Sequence, residues 1–358
     1  MLDAYPRAPR DRPRELAAFI AHLHRSRVEQ PDARPEPVRV RKRRVVPTQT
    51  VRQPFRTPGE RRLRHYRPLW LNGRLVEAPK PRLRSLQRKV LREILTPIPT
   101  HPAAHGFVPG RSPHTFAAPH AGQRMVIRLD VTSFFAAITA SRVYGLLRTA
   151  GFPEPVAYAL TALCTTRTPP DILAAAPVQV PDRHYRLALL RRPHLPQGAP
   201  TSPALANLCG FRLDRRLTGL AESYGARYTR YADDLAFSGP LPVDSARRLV
   251  EGVRAIAADE GFRINRAKTR IRGAADRQLL AGLVVNSAPA VPREGYDALR
   301  AILHNAIQTG LDEQNREGHP DFLAYLAGRV AWVGHHHPAR AAKLQALLNR
   351  VTPAPSSG

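Results

Sequence analysis

The chain has 358 residues, 43% of them hydrophobic, and carries 56 lysines and arginines against 28 aspartates and glutamates, a formal net charge of +28. This length and apolar content can bury one large core or two modest ones, which excludes an intrinsically disordered protein. The charge predicts a polyanionic partner, with nucleic acid ahead of membrane lipid. No apolar run approaches the ~20 residues of a membrane span and the first residues lack a secretory hydrophobic core, so we expect a cytoplasmic protein with no membrane partner.

Residues 1–60 have the composition of a basic, Pro/Arg-rich N-terminal extension. A short helix is expected over 14–27. The following stretch contains the run Arg41, Lys42, Arg43 and Arg44 and has no hydrophobic periodicity, so it cannot build a core. An RNA-binding arm and a solvated tail are both consistent with this composition.

The pattern over residues 61–290 predicts an α+β domain with a mainly antiparallel sheet backed by helices. Asn72-Gly73 is a strong signal for the turn of a hairpin over 69–76. Helices are expected over 83–95, from a cap at Ser141 to just before Gly151, over 155–164, from a cap at Ser202 to near Gly225, and over 243–260. Residues 262–264 and 279–285 are predicted as strands that complete the sheet, and residues 167–194 show no clear pattern.

Carboxylates stand where two of the predicted strands end. Asp233-Asp234 interrupts the strand-like run Tyr-Thr-Arg-Tyr-Ala-Asp-Asp-Leu-Ala-Phe-Ser where a hairpin turn would fall, and a second strand runs straight into Asp130. Neighbouring carboxylates repel each other and lose solvation against a sheet, so a divalent cation such as magnesium is the natural partner. A solvated Asp-Asp turn is the alternative. The similar setting of Asp130 favours the metal site.

Beyond residue 290 the sequence predicts a smaller, all-helical unit over 291–358. Its helices are expected over 296–308, 321–333 and 339–350. Cys164 and Cys209 both lie in apolar helical contexts, which predicts buried reduced thiols.

Four sequence blocks, taken in chain order, resemble those of the reverse transcriptases, most closely the bacterial retron-type enzymes. They are Arg-Leu-Asp-Val-Thr-Ser-Phe-Phe at 128–135, Leu-Pro-Gln-Gly-Ala-Pro-Thr-Ser-Pro at 195–203, Tyr-Ala-Asp-Asp at 231–234, and Leu-Ala-Gly-Leu-Val-Val-Asn at 280–286. The resemblance implies a right-hand polymerase fold. Fingers and palm would occupy 61–290, and a helical thumb with the C-terminal tail would occupy 291–358.

The resemblance also implies a set of catalytic residues. Asp130, Asp233 and Asp234 would be the metal-binding set. Within it, Asp130, with the backbone carbonyl of Val131, and Asp233 would bridge two Mg²⁺ ions, with Asp234 behind them. Lys268 matches a family lysine that would protonate pyrophosphate.

Three further residues match family positions that contact the incoming deoxynucleoside triphosphate. Arg74 would bind the triphosphate, Gln197 would touch the nucleotide, and Phe135 would be the aromatic gate that excludes a 2′-hydroxyl. Phe134, beside it, is expected in the core.

Two departures from the retron pattern leave the subgroup open. Phe116 stands where these enzymes usually have asparagine in Asn-Ala-x-x-His, and Leu280-Ala281-Gly282 stands in place of Val-Thr-Gly, while His120 and the glycine remain. The chain stops too early for the maturase segment of a group II intron enzyme.

The resemblance implies an RNA-directed DNA polymerase that copies a structured non-coding RNA in antiphage defence, with an effector protein as a possible partner. The alternatives are an RNA-binding or toxin-restraining scaffold, another class of bacterial reverse transcriptase, and an RNA-templated RNA polymerase, which Phe135 disfavours.

Overall fold

The computed structural model of this protein describes residues 65–351. The helix expected over 14–27 and the basic run Arg41, Lys42, Arg43 and Arg44 lie outside the described residues. Within them, helices surround antiparallel strands, which confirms the α+β class.

The strands are β1 (Tyr66–Leu71), β2 (Arg74–Pro79), β3 (Met125–Asp130), β4 (Arg227–Tyr231), β5 (Asp234–Gly239), β6 (Arg270–Gly273), β7 (Leu279–Leu280) and β8 (Leu283–Val284). The helices are α1 (Pro81–Val90), α2 (Pro113–Ala117), α3 (Ala140–Thr149), α4 (Glu154–Cys164), α5 (Pro170–Ala174), α6 (Arg183–Leu190), α7 (Ser202–Cys209), α8 (Phe211–Ser223), α9 (Val243–Asp259), α10 (Arg293–Thr309), α11 (Leu311–Gln314), α12 (Phe322–Gly334) and α13 (Pro338–Val351). A π-helical turn, Leu91–Leu95, continues α1.

The central sheet has the strand order β4-β5-β3-β6, and every neighbouring pair is antiparallel. Ile127 and Leu129 of β3 point into the main core, whereas Val126, on the opposite face, packs in a second cluster with Phe116 of α2 and Ala236 of β5. Because side chains alternate along a strand, Asp130 shares its face with Val126.

The first hairpin confirms the prediction from Asn72-Gly73. Both residues have positive φ, 47° and 73°, as the tight turn of a hairpin with right-handed twist requires. The helix expected over 83–95 is present as α1 together with the π-helical turn that continues it. Those expected over 155–164 and 243–260 are α4 and α9. All three match within two residues at each end.

The strands expected at 262–264 and 279–285 are wrong in detail. Phe262 and Ile264 are apolar because they fill the main core, and Ile264 makes only an isolated bridge to Val131. The fourth strand of the sheet is instead β6, whose sequence Arg-Ile-Arg-Gly is that of a polar edge. Positive φ at Ala281 and Gly282 folds 279–284 into a separate two-stranded hairpin.

Both predicted serine caps are also wrong. Thr139 is the N-cap of α3, and Ser141 lies inside the helix with its hydroxyl 2.8 Å from that of Thr139. Ser202 is the first residue of α7 and donates to the carbonyl of Pro196.

The long helix expected to end near Gly225 is broken at Gly210. A Cβ on Gly210 would lie 3.3 Å from Nη2 of Arg230. The absence of a side chain at this position therefore leaves space for a buried guanidinium.

The C-terminal helical unit, α10 to α13, has its own core, formed by Leu299, Leu303, Leu326, Val330, Val333, Leu344 and Leu348. Val291, just before α10, packs against both this core and the cluster around Phe116. Cys164 and Cys209 are free and buried, as predicted, and burial raises the pKa of each thiol to about 12. Among residues 65–351, none of the helices has the length and apolar content to cross a bilayer.

Candidate active site

The tight turn between β4 and β5 carries the first of the adjacent carboxylates. Tyr231 pairs with Asp234 across the hairpin, so the two turn residues are Ala232 and Asp233, and Asp234 already belongs to β5. Ala232 adopts φ 54°, an uncommon conformation for a residue with a side chain. The sequence predicts a turn at Asp233-Asp234, and the structure has it one residue earlier, at Ala232-Asp233.

Asp130 and Asp233 line one cleft at the end of β3. The amide of Val131 donates to the carbonyl of Asp233 at 2.8 Å, which fixes the turn against the end of the strand. Burial raises the pKa of Asp233, and the charges of Asp130 and Asp234 add to the effect while that of Arg74 opposes it. Asp130 accepts a hydrogen bond from Nζ of Lys268 at 2.9 Å. Carboxylates gathered in this way attract cations.

Asp234 is held differently from the other two carboxylates. It lies directly opposite Asp130 in the sheet, but Arg128 binds it in a fork, with Nε and Nη2 2.9–3.0 Å from its oxygens. Burial raises the pKa of Asp234, and the guanidinium of Arg128 opposes that rise. Asp130 and Asp233 are thus the carboxylates on the wall of the cleft, with Asp234 beside them.

The facing wall of the cleft brings together Arg74, at the start of β2, and Gln197, in the loop before α7. The amide of Glu77 donates to the carbonyl of Gln197 at 2.7 Å, and Gly198 turns away with φ 111°. A Cβ on Gly198 would lie 3.2 Å from the side chain of Val76. The loop and the first hairpin are therefore tightly packed, which fixes Gln197 relative to Arg74.

Phe134 and Phe135 have the different environments that the sequence predicts. Phe134 is 4% exposed and packs on Phe262 in the main core. Phe135 is half-buried and lines the cleft, 6.2 Å from the ring of Phe107. Ser133, with φ 53°, turns the chain sharply after β3 and so separates the two rings.

Comparison with known proteins decides the family. Residues 72–282, more than half of the chain, match the model of the reverse transcriptases (RNA-dependent DNA polymerases). The chain belongs to the reverse transcriptase family. The right-hand polymerase fold follows from this membership.

Several curated retron reverse transcriptases resemble the chain over much of its length. The chain is 43% identical to the Retron Mx65 reverse transcriptase of Myxococcus xanthus over 275 residues, 76% of this chain and 60% of that protein. It is 38% identical to the Retron Mx162 reverse transcriptase of the same organism over 294 residues, 78% and 58% of the two chains. It is 33% identical to the Retron Ec86 reverse transcriptase of Escherichia coli over 236 residues, 65% of each. The matches thus cover less than two thirds of the length of each of these relatives.

A buried ionic network behind this reverse transcriptase hairpin was not predicted from the sequence. Arg230 of β4 is 0% exposed, and its guanidinium donates to both carboxylate oxygens of Asp214 at 2.6 and 2.7 Å. Nη1 donates to Asn207 at 3.0 Å and to the carbonyl of Ala232 at 3.2 Å. Tyr228 completes the network with a 2.9 Å bond to Asp214. The turn that carries Asp233 therefore rests on a fully buried ion pair.

A second unpredicted group ties the first hairpin to the Gln197 loop. Glu77 accepts from the hydroxyl of Thr168 at 2.8 Å and contacts Nε2 of His194 at 2.9 Å. Nδ1 of His194 faces the carbonyl of Arg192 at 2.7 Å. Both ring nitrogens of His194 therefore lie within hydrogen-bond distance of an oxygen, and the imidazole links Glu77 to the chain before the Gln197 loop. The sequence signal was a glutamate in a strand and a histidine before the Gln197 loop, too little to pair residues this far apart.

The oxygen donors of the cleft fit a hard divalent ion. Carboxylates of Asp130 and Asp233 and the carbonyl of Val131 are the ligand types that Mg²⁺ prefers. Burial and the neighbouring charges of Asp130 and Asp234 disfavour the anionic form of Asp233, which gives an electrostatic reason for a cation here. Lys268 binds Asp130 and Arg128 binds Asp234, so two of the three carboxylates already have a cationic partner. Over residues 65–351, the single tight group of three or more potential ligands is made of histidines.

Proposed function

We propose that this protein is an RNA-directed DNA polymerase of the retron type. One observation carries the proposal: residues from five separate segments converge on a single cleft. They are Arg74, Asp130, Phe135, Gln197, Asp233 and Lys268. Each matches the position that the family motifs assign to a step of nucleotide addition.

In this proposal Asp130, Asp233 and the carbonyl of Val131 hold two Mg²⁺ ions. When bound, the ions activate the primer hydroxyl and neutralise the leaving pyrophosphate. Arg128 holds Asp234 in place. Asp234 would therefore support the site through its charge, behind the two aspartates that contact the metal directly.

The remaining cleft residues bind and select the nucleotide. The guanidinium of Arg74 offers planar donors to the triphosphate, and Gln197 positions the nucleotide from the opposite loop. Phe135, whose half-buried ring lines the cleft, would exclude a ribose 2′-hydroxyl by bulk. Lys268 lines the cleft with its side chain 49% exposed, and it would supply a proton to the pyrophosphate.

The proposed template is a structured non-coding RNA, to which the DNA product stays bound. The net charge of +28 supports a nucleic-acid partner, and the basic run Arg41, Lys42, Arg43 and Arg44 would add affinity for phosphates without reading bases. A role in antiphage defence, with an effector protein and a cytoplasmic site of action, completes the proposal on the strength of the retron resemblance.

The decisive experiment is primer extension on an RNA template with Mg²⁺, comparing Asp233→Ala with the surface variant Asp244→Ala. The Asp244 side chain is 79% exposed and belongs to an exposed ion pair on α9, so its loss should leave activity unchanged. We expect Asp233→Ala to retain less than about one percent of activity, because it removes a metal ligand. Retention of more activity by a folded variant would contradict the assignment.

The nature of the template is tested separately. Protein purified from its host should carry one abundant non-coding RNA partly joined to single-stranded DNA, which sequencing of the bound nucleic acid would reveal. One abundant RNA without attached DNA would favour the RNA-binding scaffold, and a random sample of cellular RNA would leave a reverse transcriptase of another class.

A further inference from the structure

Three histidines converge where the C-terminal helical unit meets α2, about which neither the family motifs nor the comparisons say anything. His114 lies on α2, and His335 and His336 lie in the turn between α12 and α13. One potential ligand nitrogen from each ring lies within 4.8 Å of the others. The chain brings these rings together across more than 200 residues.

Two of the three imidazoles lack a partner for a ring nitrogen. His114 is 4% exposed, and its Nδ1 is buried without a hydrogen bond. Nε2 of His336 is likewise buried and unbonded. Leaving a buried polar atom unpaired costs about 1–3 kcal/mol, so two such atoms in one cluster require a physical reason.

We propose that His114, His335 and His336 bind one divalent transition-metal ion, with Zn²⁺ as the ion that best suits three imidazoles. Nitrogen ligands lie about 2.0–2.1 Å from zinc, and three protein ligands leave a fourth position for water. The nitrogens lie within 4.8 Å of one another. Binding one ion would draw the rings of the turn residues His335 and His336 toward His114. His335 is exposed and gives the ion a path from solvent.

The surroundings of the cluster hold His114 and leave the other two rings on a turn. The ring of Trp332 lies 4.2 Å from that of His114. The ring of His335 stacks on that of His114 at 3.9 Å, and it would leave this stack for both nitrogens to face one ion. Ser112 and Thr115 cap α2 with reciprocal bonds, which holds His114 in place.

A metal at this point would fasten the thumb to the back of the catalytic hairpin. The carbonyl of Phe116, two residues after His114, accepts from the hydroxyl of Thr229 in β4 at 3.0 Å. The C-terminal unit also joins this region through the packing of Val291 and through Trp332 against His114. The ion would therefore restrict thumb movement relative to the palm, independently of the polymerase chemistry.

The test is zinc binding by the untagged full-length protein, stripped with EDTA and titrated in excess Mg²⁺ so that carboxylate sites are filled. Wild type should bind one equivalent of Zn²⁺. Co²⁺ in its place should give the visible absorption of a tetrahedral nitrogen site. At a zinc concentration about 100-fold above Kd, the melting temperature should rise by about 5 °C.

Variants assign the site to its ligands. His114→Phe keeps a ring against Trp332 and removes the nitrogens, and we expect it to weaken zinc binding at least about 100-fold. The matched control is His337→Phe, in the same turn but outside the cluster, which should bind as wild type does. Asp233→Ala should also bind zinc normally.

Three outcomes would overturn the proposal. They are no stoichiometric zinc binding by the wild type, zinc binding by His114→Phe as tight as that of the wild type, and loss of zinc binding in Asp233→Ala, which would assign the ion to the carboxylate cleft. His336→Asn keeps the test decisive if His114→Phe fails to fold. It changes a half-buried residue of the turn and should show the same loss of zinc binding.

Discussion

Replacing Gly106 with alanine should displace the turn that carries Asp233 without touching a side chain of the proposed active site. A Cβ on Gly106 would lie 2.5 Å from the amide nitrogen of Ala232, about 1 Å short of the 3.4 Å of ordinary contact. The glycine cannot retreat freely, because its carbonyl accepts from Nδ2 of Asn207 at 2.8 Å and the amide of the preceding His105 donates to the backbone carbonyl of Arg230 at 2.7 Å. The turn must therefore yield, and Asp233 moves with it.

The expected loss follows from the size of that shift. A misplacement of about 1 Å in a catalytic group costs about 10²-fold in rate, and overpacking costs about 1–3 kcal/mol of stability. Both would be measured on one preparation, kcat by primer extension with saturating nucleotide and stability by urea unfolding.

Gly145→Ala is the matched control for this substitution. Gly145 lies inside α3, where a Cβ meets nothing within 4 Å, so the change should leave kcat unaltered and add up to about 1 kcal/mol of stability. A Gly106→Ala enzyme with kcat within threefold of the wild type, against that control, would refute the claim that this backbone contact fixes the turn.

Three further predictions follow from the site and its supports. Phe135→Ala should raise kcat/KM for ribonucleotides relative to deoxyribonucleotides, and an unchanged ratio would return the ring to a packing role. Asp214→Asn should lower the free energy of unfolding by about 3–5 kcal/mol, because it leaves the buried charge of Arg230 without its anion, and a urea midpoint close to that of the wild type would contradict this. Burial lowers the pKa of His120 to about 3, so the unfolded state takes up the proton first and stability falls as pH drops below about 6.5. His120→Gln should remove about 1.4 kcal/mol per pH unit from the slope of unfolding free energy between pH 6 and 4, and an unchanged slope would contradict the assignment.

Local features of the sequence predicted the elements that carry the site. The positive-φ turn at Asn72-Gly73 and the β3 strand that runs into Asp130 depend on neighbours in the chain, so composition and alternation are enough to find them. The fourth strand was missed because its alternation is weak: β6 is short, polar and at the sheet edge. The apolar alternation of Phe262 and Ile264 predicts a strand, but core packing alone produces the same alternation.

The supports of the site could not be predicted, because they are pairs between distant residues. Arg128 and Asp234 are 106 positions apart, and His120 and Ser238 are 118 apart. Each residue alone has an ordinary surface interpretation, and only the sheet register brings the pairs together. The resemblance to retron enzymes singled out His120. The structure gives the physical reason, since its two nitrogens bond Ser238 of β5 and Thr229 of β4 at 2.7 Å.

The cationic side chains around the cleft hold its carboxylates in different ways. Lys268 and Arg128 bind Asp130 and Asp234 directly, whereas Arg74 acts on Asp233 as a charge across the cleft. In the proposed function Asp130 and Asp233 would hold the metal ions, so Asp130 would exchange its contact with Lys268 for metal. The phosphates of the nucleotide would then offer Lys268 and Arg74 new anionic partners. The cations that hold the carboxylates in this arrangement would thus be the ones available to bind the triphosphate.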